Sequence, residues 1–386
     1  MIKKTILFVH QSSDLYGSDK ALLLLAQNLD KKLFVPIIVL PRKGPLFIEL
    51  QKSNIKVIIT PVLNIHKRMF NFKELFLFPI HLIKSIFKLN KELKDIKIDI
   101  IQSNTVVVIL GFLYAKLKGI KHFWHIHEIL ESPKIAVIFF SWLVNSFSDF
   151  IIFNSLATKE SFCKQQPKVE KKSIVIYNGI ERDEKIKTNL EIEVIKKSVS
   201  FNSNDIILGL IGRINQNKGH SILLNSFKEV YKNYPNIKLL FIGSPVKGKE
   251  NVLEKIKNQV KELHLEKNVL IIPFQKNIWS FWDIIDIAMV PSTVSESFGL
   301  VALEAMLSKK PVIVSNLGAL KEVIEEKSTG LIFNINEAES LKNSIQLLLD
   351  NKPLRIKYGE AGFLRAKKLF TLEKYINQFE KHYLNH

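Results

Sequence analysis

Two glutamates eight positions apart, Glu296 and Glu304, form the pattern in this chain with the clearest chemical meaning. Between them, Ser297-Phe298-Gly299-Leu300 opens a predicted helix, and the free backbone N–H groups of such a helix start suit a phosphate. A carboxylate in a helix otherwise made of Ala, Val, Leu and Met is either on a narrow solvated face or buried with dedicated partners. Ribose hydroxyls would serve as such partners for Glu304. Taken alone, Glu304 also fits a surface position on an ordinary helix, but the surrounding motif favours a binding site.

A basic loop between Gly212 and Gly219 carries two cations, Arg213 and Lys218. The loop follows a predicted strand at 206–211, so both cations would lie at the carboxyl end of that strand. Arginine can bind a phosphate through two parallel hydrogen bonds and lysine adds a point charge, so the pair suits a diphosphate that gains negative charge as it departs. The alternative is a basic surface turn in a lysine-rich chain.

Two histidines, His125 and His127, lie in a predicted strand at 122–127 and therefore face the same side of it. They fit three interpretations: a zinc pair with a third ligand elsewhere, polar groups that line a binding cleft, or structural histidines hydrogen-bonded in the core. The residues by themselves leave these alternatives open.

Two further loops carry weaker patterns. Asn178-Gly179 after a predicted strand favours a tight turn whatever the function. Gly17-Ser18 follows the first strand with a single glycine, so neither the Gly-x-Gly-x-x-Gly pattern of dinucleotide-binding proteins nor the P-loop of nucleotide kinases is present.

Strand-like and helix-like segments alternate along the chain, which predicts an α/β protein with doubly wound parallel sheets. This alternation stops in a charged stretch at 181–204 and then resumes, so we expect two sheets and a domain boundary near 180–190. A helix is expected at 19–30. The predicted strands are 5–9, 35–40, 55–59, 98–102, 122–127, 149–153, 173–177, 206–211, 237–242, 268–272, 286–290 and 311–315.

Composition narrows the classes of protein that fit. The chain has 386 residues, of which 47% are hydrophobic, so it can bury two cores and is not disordered. One cysteine, Cys163, excludes an internal disulfide framework and fits a reducing cytosol. The N-terminal apolar run is too short for a signal peptide and is predicted to be a strand, and no stretch is long enough for a transmembrane helix.

The formal net charge is +19, and residues 1–185 carry +12 of it. Basic residues alternate with phenylalanine and isoleucine at 65–94, which fits either a helix lying on an anionic membrane or a helix that covers the first sheet with lysines on its wet face. The excess of cations favours the anionic bilayer. No basic segment with stacking aromatic residues resembles a nucleic-acid-binding motif, so no nucleic-acid partner is expected. In the segment 65–94 the basic residues are Lys67, Arg68, Lys73, Lys84, Lys88, Lys91 and Lys94, and the apolar residues beside them are Phe70, Phe72, Phe76, Phe78, Ile83, Ile86 and Phe87.

Together, these motifs resemble family 4 of the retaining glycosyltransferases, of the type that builds bacterial surface polysaccharides. The resemblance extends over nearly the whole chain, and its most specific parts are the Glu-x₇-Glu motif and Gly-Arg-x₄-Lys-Gly at 212–219. It implies the GT-B fold, with two Rossmann-like doubly wound domains facing a central cleft. The implied domains are an acceptor-side domain at 1–183, a nucleotide-sugar-binding domain at 184–370 and a helix at 371–386 that crosses back to the first domain.

The resemblance also implies roles for the matching residues. Arg213 and Lys218, with Gly212, would bind the donor diphosphate, and Glu304 would hold the ribose. Glu296 and the backbone of 297–300 would contact the sugar and phosphate. On the acceptor side, His127 would lie beside the transferred sugar; it is preferred over His125 because the family's histidine commonly precedes an acidic or small residue. The same cleft would include Gly17, Ser18, His125 and Asn178, and Ser18 stands where the family often has a second glycine.

The activity implied is transfer of a sugar, with retention of configuration, from a nucleoside-diphosphate sugar to a glycan or lipid-linked acceptor in capsule, lipopolysaccharide or exopolysaccharide synthesis. Neither a cofactor nor a metal ion is expected. The expected location is the cytoplasm, with a peripheral position at the inner face of the membrane. Two alternatives are a nucleotide-sugar epimerase of similar fold and a non-enzymatic module that binds anionic lipid or nucleic acid.

Overall fold

The computed structural model describes residues 3–64, 72–131, 133–182 and 184–386, and for 72–76 and 338 it describes the backbone alone. The chain divides into two compact units. One contains the residues up to Gly179 together with Leu372–His386, and the other contains Ile180–Thr371. Each unit is built on its own parallel sheet.

The first unit contains seven strands, in the order β3-β2-β1-β4-β5-β6-β7, and every neighbouring pair is parallel. The strands are Lys4–His10 (β1), Phe34–Leu40 (β2), Lys56–Ile59 (β3), Ile100–Asn104 (β4), Lys121–Ile126 (β5), Phe150–Phe153 (β6) and Ser173–Val175 (β7). The helices are Gly17–Asn28 (α1), Pro45–Lys52 (α2), Phe72–Glu92 (α3), Leu110–Lys118 (α4), Lys134–Phe147 (α5), Leu156–Gln165 (α6) and, from the end of the chain, Leu372–Asn385 (α15).

Both faces of this sheet are covered, which explains why its strands are continuously apolar. Leu7 and Val9 of β1 belong to the core under α3 to α6, and Phe8 belongs to the opposite core under α1, α2 and α15. On that second side, Tyr383 of α15 packs against Phe8, with ring centroids 6.4 Å apart, and its hydroxyl donates to Gln102 Oε1 at 2.6 Å. The end of the chain is therefore part of the first unit's core.

The second unit contains six strands, in the order β10-β9-β8-β11-β12-β13, and all of its pairs are parallel. The strands are Ile206–Ile211 (β8), Ile237–Ile242 (β9), Val269–Ile272 (β10), Ile287–Val290 (β11), Val312–Ser315 (β12) and Gly330–Phe333 (β13). The helices are Asn189–Ser198 (α7), His220–Tyr231 (α8), Asn251–Glu262 (α9), Trp279–Ile284 (α10), Leu300–Leu307 (α11), Leu320–Val323 (α12), Ala338–Asp350 (α13) and Lys352–Leu369 (α14).

The strand pattern confirms the predicted fold class, because each of the twelve predicted strands matches β1 to β12. The prediction at 98–102 is displaced: β4 runs to Asn104, since the polar Gln102 and Ser103 are buried strand residues. The edge strand β13 was missed, because four residues give too short an apolar run to distinguish it from a loop.

In both sheets the strand order reverses beside the first strand, between β1 and β4 and between β8 and β11. At such a reversal, the chain segments that follow the two neighbouring strands leave toward opposite faces of the sheet. The carboxyl ends of these two strands are therefore open to a ligand. The predicted binding loops at 212–219 and 292–300 follow β8 and β11, one on each side of this point.

The basic and apolar segment at 65–94 lies partly outside the described residues. Of its described part, Leu82, Ile86 and Leu89 of α3 pack against the first core, so this helix does cover the sheet. In the described part of the chain no helix is long and apolar enough to span a membrane.

A buried ion pair stabilises the second unit at its N-terminal end. The Arg182 guanidinium donates two hydrogen bonds to Asp283, at 3.0 and 2.7 Å, and a third to Ser308 Oγ at 2.8 Å. The side chain of Arg182 is 5% exposed and that of Asp283 is fully buried. Removing one member would leave the other charge buried without its partner.

We therefore expect Asp283→Ala to lower the free energy of unfolding by about 3–5 kcal/mol. The matched control is Glu229→Ala, which removes an exposed ion pair with Lys232 and should leave the midpoint of urea unfolding nearly unchanged. Equal midpoints for the two variants would show that the Arg182 pair does not stabilise the fold.

Candidate functional site

Two loops of the second unit are packed together at the carboxyl ends of β8 and β11. Gly219, with φ of +73°, ends the basic loop, and a Cβ atom there would lie 1.8 Å from the carbonyl oxygen of Pro291. In addition, the Thr293 N–H donates to the carbonyl oxygen of Asn217 at 2.8 Å. Glycine at 219 thus permits the close approach that brings the Lys218 loop against the loop of Glu296.

Lys218 and Glu296, which are 78 positions apart, form an ion pair at this place, with Nζ 2.5 Å from Oε1. The same carboxylate oxygen accepts a hydrogen bond from Ser292 Oγ. Burial raises the pKa of Glu296, but the charge and hydrogen bond of Lys218 and the hydrogen bond of Ser292 together bring the pKa below its usual value. Glu296 is therefore an anion that holds the lysine ammonium at the strand ends.

The start of α11 lies directly beside this pair. Gly299 is its N-cap residue, with φ of +99°, and a side chain there would meet Leu320 at 2.7 Å. Phe298 is buried against Phe370, edge to face, at a centroid distance of 5.6 Å. The side chain of Phe298 thus fixes the loop. The intrahelical hydrogen bonds begin with the Ala302 N–H, which donates to the carbonyl oxygen of Gly299 at 3.0 Å, so the N–H groups of Leu300 and Val301 precede them and are suited to bind an anion.

Glu304 is buried in α11, with 4% of its surface exposed. The interpretation of Glu304 as a surface residue is therefore wrong. Its helix neighbours Leu303 and Ala305 are also buried, so α11 is covered by other parts of the unit around this position.

The remaining predicted donor residues follow the same strands. Gly212 and Arg213 come directly after β8, and both are half-buried. Ser297 is half-buried in the loop before α11. The structure thus places every predicted donor residue on the two loops and the helix that follow β8 and β11, with direct contact between Lys218 and Glu296.

In the first unit, the two predicted histidines lie in contact. His125 ends near the carboxyl terminus of β5, and His127 is one residue beyond the strand. The His127 Nε2 atom is 3.1 Å from His125 Nδ1, and the ring centroids are 3.9 Å apart. The prediction that both rings face one side is confirmed. In the described residues no group of three or more His, Cys, Asp or Glu is placed to hold a metal ion.

A second pair, His10 and Asp19, lies near these histidines and was missed by the sequence analysis. His10 ends β1, and its Nε2 atom is 2.8 Å from Asp19 Oδ1. Asp19 Oδ2 also accepts the Tyr16 N–H, which ties the carboxylate to the start of α1. The detectable pattern was a histidine at the end of the first strand followed by an aspartate in the first turn of the next helix.

Burial is the main influence on the protonation states of His125, His127 and Glu128. Burial, followed by the proximity of His10, lowers the pKa of His127 to about 3, against a smaller opposing effect of Asp19. Burial likewise lowers the pKa of His125 well below its usual value, with His127 and His10 adding to the effect. Next to them, burial raises the pKa of Glu128 to about 7, although its carboxylate accepts hydrogen bonds from the backbone of Val106 and His127. Both predicted histidines are therefore neutral near pH 7.

The other predicted acceptor-side residues lie at two places in the first unit, and the predicted loop at Gly17 and Ser18 is instead the start of a helix. Gly17 and Ser18 are the first residues of α1, and Gly17 is exposed. Asn178 follows β7 and is buried, and its Oδ1 atom has no hydrogen-bond partner among the described residues. Gly17 and Ser18 are thus the residues next in sequence to the Asp19 that contacts His10.

Both halves of the chain match known protein families. Residues 17–184 match the family described as Glycosyltransferase Family 4, and residues 191–365 match the one described as Glycosyl transferases group 1. A solved structure of Anabaena HepE, in complex with UDP and glucose, superposes with a TM-score of 0.84 at 21% identity, over 99% of this chain and 100% of that chain. This similarity shows the fold.

Two curated relatives agree with the family matches. An uncharacterized glycosyltransferase of Methanocaldococcus jannaschii is 29% identical over 71% of this chain and 71% of its own length. The capsular polysaccharide biosynthesis glycosyltransferase CapM of Staphylococcus aureus is 27% identical over 53% of this chain, which spans about half (52%) of that relative. The chain belongs to the group 1, family 4 glycosyltransferases and has their GT-B fold.

Proposed function

We propose that the protein transfers a sugar from a nucleoside-diphosphate sugar to a saccharide acceptor with retention of anomeric configuration. The observation that carries this proposal is the contact between Lys218 and Glu296 at the reversal of strand order in the second sheet. A cation, a carboxylate and a helix start are thereby brought together where a ligand of an open α/β sheet binds.

The donor diphosphate would bind to Arg213, Lys218 and the start of α11. When it arrives, its oxygens can take the place of Glu296 as partners of the lysine ammonium, which is 28% exposed and so accessible. Glu296 is then free to accept a hydrogen bond from a sugar hydroxyl. As the glycosidic bond breaks, negative charge develops on the diphosphate, and the two cations stabilise it. This role for side-chain cations is why the proposal includes neither a metal ion nor a cofactor.

Glu304 would hold the ribose. Its buried carboxylate can accept two hydrogen bonds from the 2′- and 3′-hydroxyls, and such polar partners offset the cost of burying a charge. The side chain would therefore fix the nucleoside, at a distance from the bond that breaks.

On the acceptor side, His127 would lie beside the transferred sugar as a neutral hydrogen-bonding group. A neutral imidazole donates from one nitrogen and accepts at the other, which suits sugar hydroxyls. For retention we propose a front-face reaction, in which a departing phosphate oxygen helps to remove the proton of the acceptor hydroxyl. Catalysis then consists of positioning and charge stabilisation.

The acceptor we propose is a lipid-linked saccharide of a bacterial surface polysaccharide. The name of the staphylococcal relative, which refers to capsular polysaccharide biosynthesis, supports this class of product. A lipid-linked acceptor would require the protein to work at the inner face of the cytoplasmic membrane as a peripheral protein.

The proposal is tested by thermal unfolding of the protein with UDP-, GDP-, ADP- and dTDP-sugars, starting with UDP-glucose. One nucleotide should raise the unfolding temperature selectively, because a ligand that binds the folded state stabilises it. Glu304→Ala should lose this shift through loss of the ribose contacts. If no nucleotide at millimolar concentration shifts the unfolding of the unmodified protein, the donor site proposed here is wrong.

Lys218→Ala should weaken donor binding by about 1.5–3 kcal/mol, since it removes one charge-assisted contact to the diphosphate. Calorimetric titration with the nucleotide identified above measures the loss. Lys228→Ala, which removes a partly buried lysine from the last turn of α8, is the matched control and should bind as the unmodified protein does. Unchanged affinity in the Lys218 variant would refute its role at the diphosphate.

His127→Asn should lower kcat by roughly 10²–10³-fold without changing the shape of the pH–rate profile between about pH 5 and 8. The pKa of His127, about 3, lies below that range, so its imidazole does not titrate there. The profiles of both proteins are compared with saturating donor. An acidic limb near pH 6 that disappears in the variant would show that His127 acts as a titrating acid or base instead.

A further inference from the structure

Helix α5 of the first unit exposes a continuous strip of large apolar side chains. The four residues lie at the spacing of one helix face, and their exposed fractions are 83, 57, 41 and 48% for Ile135, Ile138, Phe139 and Trp142. The opposite face of the same helix, with Val137 and Val144, is buried in the core. Because α5 is apolar on both faces, its outward face leaves large apolar side chains in contact with water, as a surface that binds another molecule does.

The neighbouring helices extend this strip into one layer. Phe112 of α4 stacks on Phe147 of α5 at a centroid distance of 4.9 Å, and the Tyr114 hydroxyl of α4 donates to Asn90 of α3 at 3.1 Å. We call the outward surfaces of α3, α4 and α5 the outer helix layer. Its further exposed apolar side chains are Ile80, Ile83 and Phe87 on α3 and Leu117 on α4.

Cations surround these apolar side chains. Helices α4 and α5 contain no acidic residue within their bounds, and the described acidic side chain of α3, Glu92, is paired with Lys88 at 3.0 Å. Exposed lysines lie on all three helices: Lys84 and Lys91 on α3, Lys116 and Lys118 on α4, and Lys134 on α5. The layer thus combines apolar side chains with positive charge, as a surface that binds anionic lipid does.

We propose that the outer helix layer docks on an anionic lipid bilayer, with the α5 strip inserted among the headgroups and the lysines against lipid phosphates. The proposal rests on the proposed function, in which the acceptor is lipid-linked. A second copy of the chain is a poorer occupant, because a symmetric contact would oppose the same lysines. An amphipathic aromatic ring such as Trp142 is suited to the boundary between headgroups and acyl chains.

The test is flotation of the protein with vesicles of phosphatidylcholine alone and of phosphatidylcholine mixed with phosphatidylglycerol. The unmodified protein should bind the anionic vesicles more tightly, and less so as salt is raised. The double variant I138E/W142E should bind them about tenfold or more weakly, since two inserted side chains become acidic. Ile138 is 57% and Trp142 48% exposed, and because the Trp142 ring also contacts Phe147, the thermal unfolding of the variant is measured to show that it folds.

The matched control is L190E/V194E, which changes an equally spaced apolar pair on α7 of the second unit, exposed by 77 and 67%. It should bind vesicles as the unmodified protein does. Equal binding by the α5 variant and the unmodified protein, or no binding to anionic vesicles at all, overturns the proposal. Self-association that the α5 variant abolishes, without vesicle binding, would assign the layer to a second copy instead.

A nucleotide thermal shift on the same samples separates this proposal from the proposed function. The α5 variant should keep the shift of the unmodified protein, because α5 and the donor loops belong to different units. Vesicle binding without any nucleotide-induced shift would support the docking surface and refute the donor site. A nucleotide-induced shift without vesicle binding would refute the docking surface alone.

Discussion

Parallel strand pairing is the constraint on which the candidate sites depend. In an all-parallel sheet the carboxyl ends of the strands lie along one edge, and a reversal of strand order leaves two of those ends uncovered. Here the reversals fall between β1 and β4 and between β8 and β11. His10 ends β1, and the Lys218 and Glu296 loops follow β8 and β11. Residues far apart in the chain become neighbours because the topology returns each connection to the same edge.

The ionisable side chains of the two candidate sites differ in what sets their charge. In the second unit a partly open ion pair keeps Glu296 charged, and a charged ligand can exchange with either partner. For Asp19 burial raises the pKa, but the hydrogen bond and charge of His10 outweigh it and lower the pKa. At His125, His127 and Glu128 burial dominates, so the two histidines are neutral and the pKa of Glu128 rises to about 7. Such an environment suits hydroxyl-bearing ligands, which need hydrogen bonds of defined direction more than charge. The division agrees with a donor that carries a diphosphate and an acceptor that is a saccharide.

The sequence was sufficient to predict the fold class and twelve strands, because buried parallel strands are apolar and separated by helices. It also predicted that Lys218 and Glu296 lie in loops after recognisable strands, whereas their direct contact is seen only in the structure. The pairing of His10 with Asp19 was missed, because the pattern of a histidine at a strand end and an aspartate in the next helix does not by itself show that the two side chains meet. The burial of Glu304 was equally undecidable, since helical periodicity does not tell which face of an apolar helix is covered.

The outer helix layer is not needed by the fold. Helix α5 already buries Val137 and Val144, so most of its exposed strip lies outside the core and leaves apolar area in water. A bilayer would remove that area from water and also restrict the protein to the surface on which a lipid-linked acceptor diffuses. Confinement of both partners raises their effective concentration without any new contact to the saccharide. Under the proposed function, affinity for the acceptor would then come largely from the membrane, and the role proposed for His127 would be to position the transferred sugar.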